Sequence, residues 1–304
     1  MIVKLNGNPV SETYSIQSAT TTDRAGGRGD DCEILLSSDS GAAFWAFEEA
    51  DTIEIQEGAY STGIMRIDET ERMGEGENGK FAIRGTSLPV GAKEKGFSGY
   101  EYVTLSELMR EGARALGLTH ALYGVNGRTQ LRRMVRRNQT WPEFLEMVMR
   151  GEGATVKLVG GSILAIDYGW VFDQPPVRGM HDTGCGQMIE HPRTRMMRIR
   201  TGLIEGSAVD YEVTGSSHKQ LYGDQVYSDM QAKRMARGYL LEQNLSALTY
   251  RVRIPLDTGV AALSRIDLYG NARTAGEWFV SSVTHDFTGR ETSLTLKRCI
   301  RSIE

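Results

Sequence analysis

The stretch Asp51-Thr-Ile-Glu-Ile-Gln-Glu-Gly58 alternates apolar and polar side chains, and Thr62-Gly-Ile-Met-Arg-Ile-Asp68 repeats the alternation after a turn. A period of two is typical of a β-strand with one buried face, because successive side chains point to opposite sides of a sheet. Further strands are predicted at residues 2–5, 32–36 and 81–85. Residues 1–90 are therefore predicted to form a small antiparallel β-barrel domain.

The next part of the chain changes from a period of two to the period of an amphipathic helix. Thr104-Leu-Ser-Glu107 and Thr140-Trp-Pro-Glu143 both have the capping-box pattern that begins a helix, and the second helix is predicted to end at Gly151. Two strands that turn at Gly160-Gly161 follow, at residues 154–159 and 162–167. Residues 91–180 are predicted to be an α+β middle domain.

The last part returns mainly to strands, and residues 181–304 are predicted to form a second β-barrel domain with one long helix. Ser228-Asp-Met-Gln231 is a third capping-box pattern and begins that helix. Strands are predicted at residues 196–201, 208–214, 248–254, 264–269, 277–286 and 292–298. The predicted fold class is mixed but mainly β, with two small antiparallel barrels flanking the α+β middle domain.

The composition is that of a globular protein: 304 residues, of which 40% are hydrophobic. The formal net charge is −4, yet residues 1–90 carry 16 acidic and 7 basic side chains. This acidic first third disfavours nucleic-acid binding there and suggests a face that is either repelled by DNA or docks on a basic neighbour. Because no apolar stretch resembles a secretory signal or reaches the ~18 residues of a membrane span, we expect synthesis in the cytoplasm and no membrane association.

The cysteines and histidines suggest one weak metal site. Cys32, Cys185 and Cys299 are too far apart for a Cys-x-x-Cys site and are expected to be reduced thiols. His181, Cys185 and His191 could supply imidazole and thiolate ligands for zinc or iron, but their spacing matches no standard zinc motif. A polar loop is the favoured interpretation, and no metal or other cofactor is predicted.

The strongest enzymatic candidate is the tripeptide Asp-Thr-Gly, which occurs at residues 182–184 and 257–259. Aspartic proteases bring two such aspartates together so that they share one proton. The copy at Asp182 lies in a glycine-rich stretch with no apolar strand before it, so its context does not match that of Asp257. We predict no catalytic residues, with an aspartic-type protease as the first alternative.

Two clusters are candidate interfaces. The first contains five arginines within ten residues, Arg128, Arg132, Arg133, Arg136 and Arg137. Such density suits phosphate contacts, but neighbouring aromatics for base stacking are absent, so we predict a solvated or subunit-facing strand and no sequence-specific nucleic-acid binding. The second cluster is aromatic and either packs in the core or anchors a partner. The predicted interface residues are Phe44, Trp45, Phe47, Arg132, Arg133, Arg136 and Arg137.

The order of these patterns resembles the late control protein D family of phage tail baseplate hub proteins, which is related to the N-terminal hub part of type VI secretion spike proteins. The segments that carry the resemblance are residues 50–58, 62–68, 81–87, 136–145, 153–159, 276–285 and 292–298.

This resemblance implies a virion structural protein of the tail baseplate, assembled in the host cytoplasm. It implies a homotrimeric ring with two similar barrels in each subunit, which adapts a sixfold tail tube to a threefold central spike and leaves a channel for DNA or tape measure. The implied partners are the central spike protein, the tail tube or tube-initiator protein and the tape measure protein. A monomeric carbohydrate-binding β protein is the second alternative.

Overall fold

A computed structural model of the chain describes residues 1–10, 14–37, 51–73, 80–182, 184–222 and 226–304. Strands predominate in the first and last parts of the chain, and three of the four described helices lie in the middle part. The predicted fold class, mixed but mainly β, is confirmed.

The first part contains eight strands among its described residues. They are β1 (Ile2–Leu5), β2 (Asn8–Pro9), β3 (Ser15–Arg24), β4 (Asp31–Ser37), β5 (Thr52–Glu57), β6 (Tyr60–Ser61), β7 (Met65–Met73) and β8 (Lys80–Thr86). The alternation seen in the sequence is the burial pattern of the strands: Ile53 and Ile55 of β5 are buried, whereas Glu54 between them is only half-buried.

The middle part mixes helices and strands. Its elements are β9 (Gly96–Thr104), α1 (Leu105–Ala115), β10 (Thr119–Tyr123), β11 (Gln130–Gln139), α2 (Trp141–Gly151), β12 (Ala154–Val159), β13 (Ser162–Asp167) and α3 (Tyr168–Asp173). The hairpin of β12 and β13 turns at Gly160 and Gly161, which both have positive φ angles. Strand β10 pairs with β13 in parallel, and α1 and α2 pack on this small sheet.

Among its described residues, the last part contains nine strands and one helix, which is longer than the three in the middle part. Its elements are β14 (Arg178–His181), β15 (Gln187–Glu190), β16 (Met196–Thr201), β17 (Ile204–Val209), β18 (His218–Tyr222), α4 (Asp229–Leu245), β19 (Leu248–Pro255), β20 (Arg265–Tyr269), β21 (Gly276–Asp286) and β22 (Glu291–Arg298). Strands β17, β16 and β18 form a separate sheet, and α4 packs against β16 and β17.

The helix starts follow the sequence closely. In α1 and α2, Thr104 and Thr140 accept hydrogen bonds from the third helical N–H, and Glu107 and Glu143 bond back to the cap backbone, as the capping-box patterns predict. The predicted end of α2 at Gly151 is confirmed. Glu152 caps the helix, and the chain turns away at Gly153, whose φ of +75° is favourable for glycine.

A single large sheet joins the first and last parts of the chain. Its main path runs β15-β19-β22-β21-β3-β4-β8-β7-β5-β1-β2, and the two halves meet where β3 pairs with β21 in antiparallel fashion. Each half keeps its own hydrophobic cluster, but Phe287 of the last part is buried in the cluster of the first. The two predicted barrels therefore share one sheet, a pairing between distant segments that local patterns do not encode.

All three parts of the chain meet at Lys157 of β12. Its buried Nζ lies 2.6 Å from Oδ1 of Asp23 in β3 and donates to the carbonyl oxygen of Ala262, 3.3 Å away. The other carboxylate oxygen of Asp23 accepts from the N–H of Ala262 at 2.8 Å. Nearby, the N–H groups of Gly26 and Gly27 both donate to the carbonyl oxygen of Val156. This junction therefore positions the first, middle and last parts against one another.

Among the described helices, none combines the length and the apolar character needed to cross a bilayer.

Lys157→Met is predicted to destabilise the protein strongly. The substitution leaves the Asp23 carboxylate in the junction without its cation, and removing one partner of a buried pair costs about 3–5 kcal/mol. The measurement is the free energy of unfolding in urea. The double variant Asp23→Asn with Lys157→Met removes the unpaired charge and should recover part of the loss. Equal stability of Lys157→Met and the wild type would contradict the assigned role of the junction.

Asp30 is predicted to make a contribution to the stability of the protein that falls as pH rises from about 4 to 7. Burial, then repulsion by Asp23, raises the pKa of Asp30 from 3.8 to about 7. Between these two pH values the folded protein keeps a proton on Asp30 that the unfolded chain has already released. The contribution of Asp30 to the free energy of unfolding therefore falls as the pH rises.

Asp30→Asn mimics the protonated carboxyl and should remove this dependence. The variant and the wild type should have similar free energies of unfolding near pH 4, and the variant should be more stable by about 4 kcal/mol at pH 8, since a pKa difference of about three units is worth about 1.4 kcal/mol per unit. Parallel stability curves for the two proteins from pH 4 to pH 8 would show that Asp30 does not carry the effect.

Candidate interaction surfaces

The arginine cluster lies on a two-stranded ribbon of β9 and β11, which pair with no other described strand. Arg133 stands opposite Glu101, and Arg137 stands opposite Phe97. Arg132, Arg133 and Arg137 are exposed, so the structure places three of the four predicted interface arginines at the surface. The ribbon also exposes Phe97, at 77%, a residue that the sequence did not single out.

Arg136 is different, because it packs inside its own chain. Its side chain is buried, and its guanidinium lies 4.7 Å from the centre of the Trp141 ring, within the range of a cation–π contact. Gly96 on β9 makes room for it: a Cβ at that position would stand 2.0 Å from an Arg136 nitrogen. The spacing of the arginines along β11 did not predict this burial. Alternation along a strand shows which residues share a face, but not which face packs against the rest of the chain.

The predicted aromatic interface residues Phe44, Trp45 and Phe47 lie outside the described residues.

A groove of about 960 Å³ separates the outer face of the large sheet from α2. Its sheet wall carries Glu33, Glu69 and Arg84, and its helix wall carries Glu143 and Glu146. Glu146 accepts hydrogen bonds from the N–H of Val156, at 2.7 Å, and from Arg150, at 3.0 Å. Burial still raises its pKa above the ordinary value. The groove is therefore polar and of mixed charge, unlike the mostly apolar pockets that bind small ligands.

The two Asp-Thr-Gly aspartates have separate partners. Asp182 is buried and accepts hydrogen bonds from Tyr250, at 2.5 Å, from Thr274, and from the N–H of Gly184, at 2.8 Å. Burial opposes ionisation of Asp182, but hydrogen bonds led by those of Thr274 and Tyr250 outweigh it and hold the pKa of this carboxyl below its ordinary value. A carboxylate that is saturated by donors is poorly suited to share a proton with a second acid.

Asp257 belongs to a different local structure. Its carboxylate forms an ion pair with Arg178 and accepts from the N–H of Gly259 at 3.0 Å, which closes a local turn. The two aspartates thus perform distinct structural tasks, and the paired arrangement of an aspartic protease is not assembled by their described contacts.

The three candidate metal ligands also differ in their surroundings. The ring of His181 packs edge-on against Tyr269, with centroids 5.5 Å apart, while Cys185 and His191 are exposed. Within the part of the chain that the structure describes, no group of three His, Cys, Asp or Glu side chains could hold a metal ion.

No protein-family model matches the sequence, and no curated protein matches it either. Solved structures do match. The 43 kDa tail protein of prophage MuSo2 from Shewanella oneidensis has a TM-score of 0.77 at 10% identity, over 98% of this chain and 97% of that one. A tail protein from Neisseria meningitidis has a TM-score of 0.75 at 13% identity, over 98% and 95%.

A third match is an Escherichia coli component of the type VI secretion system, described as similar to bacteriophage T4 tail proteins, with a TM-score of 0.62 at 11% identity over 97% of this chain and 76% of that one. The chain therefore has the fold of phage tail and type VI secretion proteins along nearly its whole length. The resemblance to tail hub proteins seen in the sequence is confirmed at the level of the fold.

Asp182→Asn and Asp257→Asn are predicted to have unequal effects on stability and none on catalysis. In Asp182→Asn, an NH₂ group faces the donors that the carboxylate accepts from, so the free energy of unfolding should fall by about 1–3 kcal/mol. In Asp257→Asn, only a surface ion pair is lost, so the free energy of unfolding should fall by about 0–1 kcal/mol. Urea unfolding measures both. An aspartic protease would instead lose its activity equally in both variants, so a pepstatin-sensitive peptidase activity in the wild type would contradict the structural roles.

Proposed function

We propose that this protein is a structural subunit of a phage tail or tail-like particle, located in the baseplate of the virion. The observation that carries the proposal is the match of the complete fold, over 98% of the chain and 97% of a prophage tail protein. The separate structural roles of Asp182 and Asp257 are consistent with it, since they leave the main enzymatic alternative without its paired acids.

More specifically, we propose that the subunit is a hub. Three copies form a closed ring that adapts the sixfold tail tube to the threefold central spike and leaves a channel for DNA or tape measure. The central spike protein, the tail tube or tube-initiator protein and the tape measure protein are the proposed partners, and assembly takes place in the host cytoplasm. A subunit with two β-rich parts suits this task, because three copies present six such parts to a sixfold tube.

The test is an electron cryomicroscopy reconstruction of the assembled particle. We expect three copies of this chain around the axis, with the tube on one side and the spike on the other. Six copies, or copies at the periphery, would contradict the hub assignment while leaving a tail role in place.

The second alternative is tested separately. A carbohydrate-binding β protein would bind glycans as a monomer and be absent from purified particles. Glycan-array binding by the purified chain, together with its absence from particles by mass spectrometry, would replace the tail proposal.

A further inference from the structure

Strand β18 is paired along one side only. It forms a parallel ladder with β16 and pairs with no other described strand. The carbonyl oxygen of Ser217, directly before β18, accepts a hydrogen bond from the first N–H of β16, so Lys219 and Leu221 also direct their backbone groups toward β16. The N–H and C=O groups of His218 and Gln220 therefore point the other way. We call the backbone groups of these two residues the β18 edge.

The opposite edge of the same small sheet is covered by the end of the chain. The N–H of Val209 in β17 donates to the carbonyl oxygen of Glu304 at 2.9 Å, and the N–H of Glu304 donates back at 3.1 Å. The β18 edge has no such cover among the described residues, and all five side chains of β18 are exposed. An open edge of this kind is a template for pairing with another chain.

The usual protection of an edge strand is absent from this one. Lysine side chains that stand out in solvent commonly keep other chains away from an edge. Lys219 is instead directed to α4, where its Nζ donates to the side chain of Gln243 at 2.9 Å. The charge of Lys219 is therefore held on the α4 side of the sheet and leaves the approach to the β18 edge open.

An apolar cavity of about 220 Å³ adjoins β18 on the side of α4. The register places Leu221 beside the buried Ile199 of β16, yet Leu221 is still 40% exposed, so its apolar surface is only partly covered. Other apolar side chains that line the cavity are Leu131, Met134, Met147, Val148 and Met235. A strand added to the β18 edge would direct every second side chain to this face of the sheet.

The other face of the sheet is basic. Arg198 and Arg200 of β16 stand beside Gln220 and Tyr222 of β18 on this face, and neither strand contains an acidic residue. Arg198 pairs with Glu205 of β17 at 3.2 Å. Because two guanidiniums share this one carboxylate on the face, carboxylates on an added strand would be attracted to it.

We propose that an extended segment of another tail protein adds to β18 as a fourth strand of this sheet. Its apolar side chains lie over the cavity, and its carboxylates lie beside Arg198 and Arg200. Main-chain hydrogen bonds to the β18 edge supply affinity, and the alternate side chains supply selectivity. The inference rests on the proposed function, in which this chain binds other tail proteins, and it identifies one surface that does so.

The experiment measures binding of a fluorescent peptide that alternates isoleucine with glutamate to the full chain, by fluorescence anisotropy. Gln220→Pro removes an N–H of the β18 edge that the ladder with β16 does not use, and its ring obstructs the added strand. It should weaken binding by about 10-fold or more. The matched control Gln220→Ala keeps the N–H and should bind like the wild type. Circular dichroism checks that both variants are folded.

Side-chain variants test the two faces separately. Leu221→Asp places a carboxylate at the apolar cavity and should weaken binding by about 10-fold. Arg200→Glu should weaken binding of the glutamate peptide and strengthen binding of a peptide with lysine in place of glutamate. Arg110→Glu, at an exposed position of α1, changes the net charge equally and should leave both peptides unaffected.

N-methylated peptides test the backbone contact itself. A strand directs alternate N–H groups to opposite edges, so methylation at every isoleucine blocks one edge of the peptide and methylation at every glutamate blocks the other. Only one of these two methylated peptides should lose binding, because only one edge of the peptide pairs with β18.

Three results would overturn the inference: no binding of the unmodified peptide to the wild type, equal binding by Gln220→Pro and Gln220→Ala, or equal effects of the two methylation patterns. A particle reconstruction with three copies around the axis but no added strand beside β18 would also overturn it, and would leave the hub proposal standing. Copies at the periphery with the added strand in place would contradict the hub proposal and support this inference.

Discussion

The antiparallel pairing of β3 with β21 is the constraint on which the rest of the architecture depends. It brings together Thr22 and Thr284, whose hydroxyls lie 3.1 Å apart although 262 residues separate them in the chain. The entropy cost of closing so long a loop grows only logarithmically with its length, so burial of apolar side chains along the sheet can offset it. Once this pairing forms, the first and last parts share a sheet, and the middle part is held against both.

Buried polar groups then set how the parts are oriented. Lys157 links the middle hairpin to Asp23 of the first part and Ala262 of the last. Asp210, which is fully buried, accepts from Asn244 at 2.7 Å and from Ser302 at 2.6 Å, and so ties the end of the chain to α4. Such groups are costly unless every partner is present, which makes one arrangement strongly preferred over others. The buried carboxylates of Asp182 and Asp210 therefore serve the architecture of the chain.

The surfaces that remain available for partners follow from the same alternation that builds the strands. On β11, Arg136 packs against Trp141 while Arg137, the next residue, reaches solvent beside Phe97. On β4, Ile34 is buried while Glu33 and Leu35 lie on the outer face. Residue type decides little here, because a guanidinium can stack inside the chain as readily as it can bind a carboxylate outside it. On β11, the space left by Gly96 beside the Trp141 ring lets Arg136 pack inside the chain.

Local features were predictable from the sequence because local physics determines them. The alternation at residues 51–58, the capping boxes at Thr104 and Thr140, and the glycine turn at 160–161 each depend on contacts a few residues apart. The sharing of one sheet by the first and last parts, the inward packing of Arg136 and the separation of Asp182 from Asp257 were decided only by the tertiary structure. Each depends on which distant segment supplies the neighbour, and hydrophobic periodicity specifies that a face is buried without specifying against what.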